Sequence, residues 1–302
     1  KDYTTWSNKM LSPERLKKHQ AYWTEHLEGT LPESEFPLDY KRPAQKTWRG
    51  INRTEWLSVE LSEQISTLGV ENKASFFMVI MAAVKALYYR YTMESDVVFG
   101  TTITARNHYN LENQIGFYTS TLPIRTVFDP NSTFLDLLDL VQQNMLGAFD
   151  HQWYQFDQIV NDLKIKRPKN KYPVFNTLVA LRNTDDVLLG DEGEEGLIKV
   201  ENADETNIWL SGYTDIVFPV SKYDLTLRVA MEPIGQISLY IEHNIDLYKT
   251  ETIDLWTQRL LKILNVIVER PEIRIKEIPL IGESGAPIFA EQNTASFFDT
   301  QF

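Results

Sequence analysis

The sequence predicts an α/β fold, and three observations carry that prediction. Segments with apolar residues at helical spacing alternate with short runs rich in β-branched and aromatic residues. One stretch, Ala74 to Tyr91, is apolar on nearly every side, as a helix at the centre of a core must be. With 302 residues, 43% hydrophobic and 24% charged, the chain has the composition of a globule with room for a sizeable core.

Each element has its own signal. Glu14 to Gly29 (ERLKKHQAYWTEHLEG) sets Leu16, Tyr22, Trp23 and Leu27 among charges, with Ser12 and Pro13 as cap and first-turn residue and Gly29 as a stop. This is an amphipathic helix. From Leu31 to Arg49 there is no period, and Pro32, Pro37 and Pro43 interrupt any helical run, so the segment is expected to lie extended across a surface. Arg53 to Leu61 alternates as a strand does, with a short helix from Ser62 onward. The buried helix Ala74 to Tyr91 is capped by Ser75 or Asn72. Val97 to Thr104 and Leu122 to Phe128 read as strands, the first apolar enough for a central position.

Thr133 to His151 carries Phe134, Leu137, Leu138, Val141, Met145 and Phe149 at the spacing of one helix face. Val174 to Leu181, Asp224 to Met231 and Gln236 to Glu242 read as strands, the last two a hairpin turning through Pro233, Ile234 and Gly235. Thr252 to Val268 is a final amphipathic helix stopped by Pro271. Residues 184–207, acidic and glycine-bearing, are expected to form a mobile loop, and the pattern dissolves after Ile281 as a linker's does.

Composition excludes several classes of function. A net charge of -12 without a compensating Lys/Arg run repels phosphate backbones and anionic lipid, so neither nucleic acid nor membrane is an expected partner. Zero Cys removes disulfides, thiolate zinc sites and a cysteine nucleophile. The N-terminal residues are polar, and the densest apolar run, Phe76 to Val84, falls far short of the ~20 residues a bilayer requires, which points to a cytoplasmic protein. The 7 Trp, 14 Tyr and 15 Phe would suffice to line a tunnel with ring faces.

No self-contained catalytic constellation is evident. GDEGEEG (Gly190 to Gly196) has the glycines of a phosphate loop, but its carboxylates would repel the phosphate. Five histidines (His19, His26, His108, His151, His243) are candidate general bases, yet none has metal-ligand or zincin spacing. His19 and His26 fall on a surface helix and His108 in a polar turn, while His151 and His243 end a helix and a strand, where structural roles are expected.

Six stretches in register carry a resemblance. DYTTW (Asp2 to Trp6) resembles YxDFAVW, and AYWTEHLEGTLPESEFPLDYKRPAQKTWRG and FFMVIMAAVKALYYRYTMESDVVFGTTITARN are similar to the helix, crossing and buried helix behind that motif. IGFYTSTLPIR (Ile115 to Arg125) resembles IGxFVNTLxLR, HQWYQFDQIV (His151 to Val160) resembles HQDxPFExLV, and SKYDLTLRV (Ser221 to Val229) with YIEHNIDLY resembles AKFDLTL and EYNTDLF. Together these resemble the C-terminal half of a condensation domain of nonribosomal peptide synthetases, over about residues 1 to 280. Ser120, Trp153 and Gln155 depart from the family's pattern, and RPKNKYPVF follows RDxSRNPLF loosely. The family's epimerisation and cyclisation branches fit less well.

The resemblance implies an α/β fold of the chloramphenicol-acetyltransferase-like kind, a lobe whose mixed β-sheet is packed with helices. It divides the chain into an interlobe motif remnant, helix and crossing segment (1–50), the C-terminal lobe (51–281) and a linker or tail (282–302). It implies amide formation between carrier-bound thioesters, with the HHxxxDG motif in the half upstream of Lys1, so this chain holds no catalytic residue and is inactive alone. Arg106 is the implied support of the active site, facing the motif's aspartate; Gly116, Ser120, Thr121, His151, Phe156 and Asp224 are the implied tunnel or interlobe positions. Arg125 has no such partner in this scheme. Implied partners are the N-terminal lobe, donor and acceptor carrier proteins and an adjacent adenylation domain. No cofactor or metal is bound directly, 4′-phosphopantetheine arriving on the carriers. A non-catalytic carrier-docking or scaffold module, or a lobe of a freestanding acyltransferase of the same fold, stands as the alternative.

Overall fold

The central helix is where the apolar run puts it. The structure, a computed structural model, describes residues 11–106, 111, 115, 116, 118–182 and 220–280. Asp2 to Trp6, His108, residues 184–207 with Gly190 to Gly196, and the tail 282–302 lie outside the described residues.

The helices are α1 (Pro13–His26), α2 (Val59–Glu71), α3 (Phe76–Thr92), α4 (Phe134–Asp150), α5 (Phe156–Asp162) and α6 (Thr250–Glu269). Their starts follow side-chain caps that satisfy backbone N–H groups the helix leaves unpaired. Ser12 accepts from Arg15 N, Ser58 from Leu61 N, Ser75 from Met78 N, and Thr133 forms a reciprocal box with Asp136. Gly29 is left-handed (φ 81°) just beyond α1, and Met93 takes that conformation (φ 60°) to end α3.

The strands are β1 (Gly50–Trp56), β2 (Asp96–Ile103), β3 (Ser120–Val127), β4 (Thr177–Leu181), β5 (Leu225–Met231) and β6 (Ile237–Asn244), in one mixed sheet of order β1-β6-β5-β4-β2-β3. Strand β4 runs parallel to β2 and β5, and the remaining neighbours are antiparallel. The β5–β6 hairpin turns at Gly235 (φ 79°), whose N–H donates to Glu232 O.

Side chains alternate across the sheet. Val97, Phe99, Val179, Leu227, Val229, Leu239 and Ile241 join the main core beneath α2, α3, α4 and α6, while Val98, Leu178 and Ala180 join a smaller core with Val160, Phe175 and Tyr223 on the other face. Each fully buried large side chain contributes about 2 kcal/mol, so the main core supplies most of the fold's hydrophobic free energy.

Three boundaries differ from the sequence reading. The strand expected to reach Leu61 stops at Trp56, because Ser58 caps α2 and the helix begins at Val59 rather than Ser62. The strand expected from Val174 begins at Thr177, since Val174 adopts φ 77° and Phe175 N turns back to Pro173 O. Helix α5 has no counterpart in the sequence reading: its seven residues are too few to display a period.

The segment from Leu31 to Arg49 is extended, as its prolines require. Its Phe36 is inserted between Trp256, Tyr88 and Phe99, with ring centroids 4.8, 5.3 and 6.2 Å away. Asp39 receives the Lys249 N–H (2.8 Å) and the Thr252 hydroxyl (2.9 Å) at the start of α6.

Candidate functional site

The implied site residues fall into three groups that the fold does not gather into one pocket. The first follows β2. Arg106 donates from Nη1 to the carbonyl of Leu111 and from Nη2 to that of Gly116 (3.3 Å), and its guanidinium lies 4.5 Å from the centre of the Tyr118 ring. Gly116 is bare because a Cβ there would sit 2.7 Å from the same ring. This arginine thus pins the connection between β2 and β3.

The second group is an aromatic row along the smaller core. Phe156 at the start of α5 meets Phe175 (5.6 Å), which stacks on Tyr223 (5.7 Å), which meets Tyr172 (4.6 Å). Gly100 of β2 has no side chain because a Cβ would enter the Phe175 ring. Thr121 hydrogen-bonds the Tyr223 phenol, whose pKa is pushed up to about 12, chiefly by burial. Ser120, buried, opens β3 opposite Ile103.

Asp224 follows Tyr223 and is 2% exposed. Arg42 grips both its carboxylate oxygens, with Nη1 to Oδ1 at 3.1 Å and Nη2 to Oδ2, and reaches Glu35 at 2.6 Å and the Asn170 carbonyl at 3.2 Å. Burial pushes the Asp224 carboxyl upward while the Arg42 hydrogen bonds and charge oppose it. Burial also works against the Arg42 cation, but Asp224 and Glu35 together outweigh it and the arginine's pKa is raised. Asp224 is thus the anchor of the crossing segment rather than a group presented to a substrate. Beside it the Lys46 ammonium stands 3.5 Å from the centre of Tyr172 and 4.8 Å from Trp48, and donates to Lys222 O at 2.6 Å. Burial lowers its pKa to about 8.

The third group centres on His151, the residue that ends α4. Its Nδ1 is 2.9 Å from His19 Nδ1. The placement of His19 and His26 on a plain surface helix is therefore corrected. His19 pairs across the helix joint, and His26 is packed closely enough that burial depresses its pKa to about 4. His243 is 1% exposed, with neither ring nitrogen hydrogen-bonded among the described residues.

Arg125, which has no partner in the motif scheme, has a carboxylate partner within the chain. Its Nε and Nη2 grip Asp96 at 3.0 and 2.7 Å, and it holds the carbonyls of Glu28 and Thr30, tying the end of α1 to the sheet edge. Lys85, fully buried in α3, was equally hidden in the sequence reading. It donates to the carbonyls of Ile124 (2.8 Å) and Val97 (3.2 Å), and burial lowers its pKa to about 7. A single lysine inside an otherwise apolar run was the signal available for it.

An open cleft of about 580 Å³ is lined by Pro32, Glu33, Glu35, Tyr88, Glu94, Ser95 and Asp96, and none of the implied site residues borders it. Among the described residues no three His, Cys, Asp or Glu converge as a metal site, and no single helix is long and apolar enough to cross a membrane.

Known proteins give this arrangement a context. Gramicidin S synthase 2 of Brevibacillus brevis is 30% identical over 285 residues, covering 94% of this chain and 6% of that protein. Surfactin synthase subunit 1 of Bacillus subtilis (strain 168) is 32% identical over 290 residues, 95% of this chain and 8% of that one. The chain thus spans less than a tenth of either relative. Among solved structures, the X-domain from teicoplanin biosynthesis superposes with a TM-score of 0.76 at 24% identity, over 93% of this chain and 62% of that one. A four-domain nonribosomal peptide synthetase bound to AMP and glycine gives 0.75 at 22%, over 91% and 21%. These likenesses agree with the observed mixed sheet and its helices, a chloramphenicol-acetyltransferase-like α/β fold. The family model described as "Condensation domain" matches residues 1–286, and the chain belongs to the condensation domain family.

Proposed function

We propose that this chain is the C-terminal lobe of a condensation domain in a nonribosomal peptide synthetase. The observation that carries the reading is the family match over residues 1–286, together with relatives that are themselves peptide synthetases. In the reaction proposed, the amine of an acceptor held on one carrier protein attacks the thioester carbonyl of a donor held on another. An amide forms and the 4′-phosphopantetheine thiol leaves. Catalysis of this kind depends on orienting the amine and on stabilising charge at the tetrahedral centre.

The division of labour is part of the proposal. The N-terminal lobe supplies the HHxxxDG histidine. This chain supplies a tunnel wall through Gly116, Ser120, Thr121, His151 and Phe156, and Asp224 holds the crossing segment that reaches the other lobe. An adenylation domain adjoins it. The six motif-like stretches, all of which resemble motifs of the C-terminal half, support a lobe. With donor and acceptor carriers loaded, the chain alone yields no amide by mass spectrometry. Adding a separately prepared lobe that bears HHxxxDG restores it. Product from the chain alone would overturn the lobe assignment, and no product from the pair would favour a docking module.

Arg106 is proposed as the positioning residue of that site, gripping the motif's aspartate through its planar fork. The match of its position to the resembling motif supports this, and the aspartate would share the terminal nitrogens that donate to Leu111 and Gly116. In the intact domain, Arg106→Ala and Arg106→Lys lower kcat for condensation by about 10-fold or more, as lost positioning interactions do, while carrier affinity stays unchanged. Arg125→Ala is no control, because it breaks the Asp96 fork; Arg167→Ala, at an exposed pair with Asp157, is. Equal effects at Arg106 and Arg167 would refute the role.

A further inference from the structure

The joint between α1 and the end of α4 brings two imidazoles together. Gly147 leaves room for Tyr22, whose hydroxyl would sit 2.7 Å from a Cβ there. The Tyr22 ring lies parallel to the His151 ring (centroids 4.2 Å apart, planes at 4°), and Trp23 Nε1 donates to His151 O at 3.0 Å. These contacts fix His151 so that its Nδ1 stands 2.9 Å from His19 Nδ1, the two rings edge to face at 80°.

Two ring nitrogens at that distance are joined by one proton, with one ring donating N–H and the other accepting through its lone pair. With both rings charged, each Nδ1 carries a hydrogen, and two N–H donors and two positive charges stand against each other. The neighbours do not compensate. Arg15 and Lys18 of α1 add positive charge, and Asp150 of α4 is the one carboxylate lining the adjoining cleft of about 280 Å³ with Leu11 and Trp153. On α5, Asp162 is already held by Gln20 and by Tyr154. His26 stacks parallel to Tyr22 at 5.4 Å and adds a third imidazole.

We propose that His19 and His151 form a one-proton clasp that loosens α1 from the end of α4 when acid adds the proton that leaves both rings charged. Both imidazoles resist that proton in the docked state. Burial first, then His151, Lys18 and Arg15, lower the His19 pKa; burial and Lys18 lower that of His151, with Asp150 opposing. Groups with depressed pKa values are protonated more readily in the undocked state, so docking weakens as the pH falls below the ordinary imidazole value of 6.5. Trp23 and Leu27, both buried in the main core, hold the helix by apolar contact, so acid loosens the joint without unfolding the chain. Because α1 leads directly into the crossing segment, the clasp governs how firmly that segment's entry is held.

Hydrogen exchange read by mass spectrometry on the intact chain, at pH about 7.5 and about 5 and corrected for intrinsic rates, tests the clasp. The expected result is an about 10-fold loss of protection in residues 13–26 at the lower pH, with α3 and α6 unchanged. His19→Gln, which can hydrogen-bond His151 but takes no proton, reduces the acid response to the part that His26, buried on the same helix, contributes; His26→Gln removes that part and keeps the rest. His151→Gln repeats the first test should His19→Gln fail to fold. Undiminished protection of the wild-type helix at pH about 5, or the same loss in His19→Gln, would overturn the clasp.

Discussion

Helix α3 and the crossing segment 31–49 pack against each other through Phe36 and Tyr88, yet they are held by different forces. Helix α3 is buried along nearly its whole length, so its stability is spread over many apolar contacts, each tolerant of small shifts. The crossing segment has few apolar anchors and is held at points: the Arg42 fork on Asp224, Lys171 on Glu33 and Glu35, Lys46 over its rings, and Asp39 at the start of α6. The difference teaches where this chain is vulnerable. A dispersed core loses stability in proportion to what is removed, whereas a point attachment fails when one partner leaves.

The sharpest test of that contrast is Asp224→Ala. It leaves the buried Arg42 charge without its fork and is expected to lower unfolding free energy by about 3–5 kcal/mol in urea denaturation. The double variant Arg42→Met/Asp224→Leu is expected to recover most of the loss. Equal losses in the single and double variants would mean that shape rather than charge holds the segment.

Lys85 brings a point charge into the dispersed region. Its pKa in the fold, about 7, lies below the ordinary 10.5, so between those values the unfolded chain binds more protons than the folded one. Stability therefore rises with pH, by about 3 kcal/mol from pH about 7 to about 9.5, and Lys85→Met flattens the profile. Wild-type and variant profiles of the same slope would show that the lysine does not titrate in the core.

At the small end stands Arg167→Ala. Its pair with Asp157 is 54% and 82% exposed, and the expected change is under about 0.5 kcal/mol by thermal denaturation. A larger loss would extend point attachment to the surface.

The two regions were unequally legible. Residues 76–92 could be read as a buried helix because burial imposes a residue type at every position, and Ser12 marked a helix start, with Ser75 one of two candidates for another, because capping is local chemistry. Proline likewise made the crossing segment legible as extended. Helix α5 escaped because one face of seven residues carries no period, and the Val174 turn escaped because a left-handed valine is unfavourable locally and is imposed by its surroundings. Of the site, the resemblance singled out Arg106, His151 and Asp224, but not the partners each has within this chain.

By itself the sequence determined most of the helices and strands, the extended crossing segment, the apolar faces and, through its motifs, the family. Only the tertiary structure decided the partners. Arg42 meets Asp224 across 182 residues, Arg125 meets Asp96 across 29, and His19 meets His151 across 132. The physical reason is range. Helix periodicity and capping act within a few residues and leave a local trace. A guanidinium or imidazole, by contrast, is satisfied by whichever oxygen or nitrogen the packed sheet and helices bring within 3 Å, and no local pattern records which one that is.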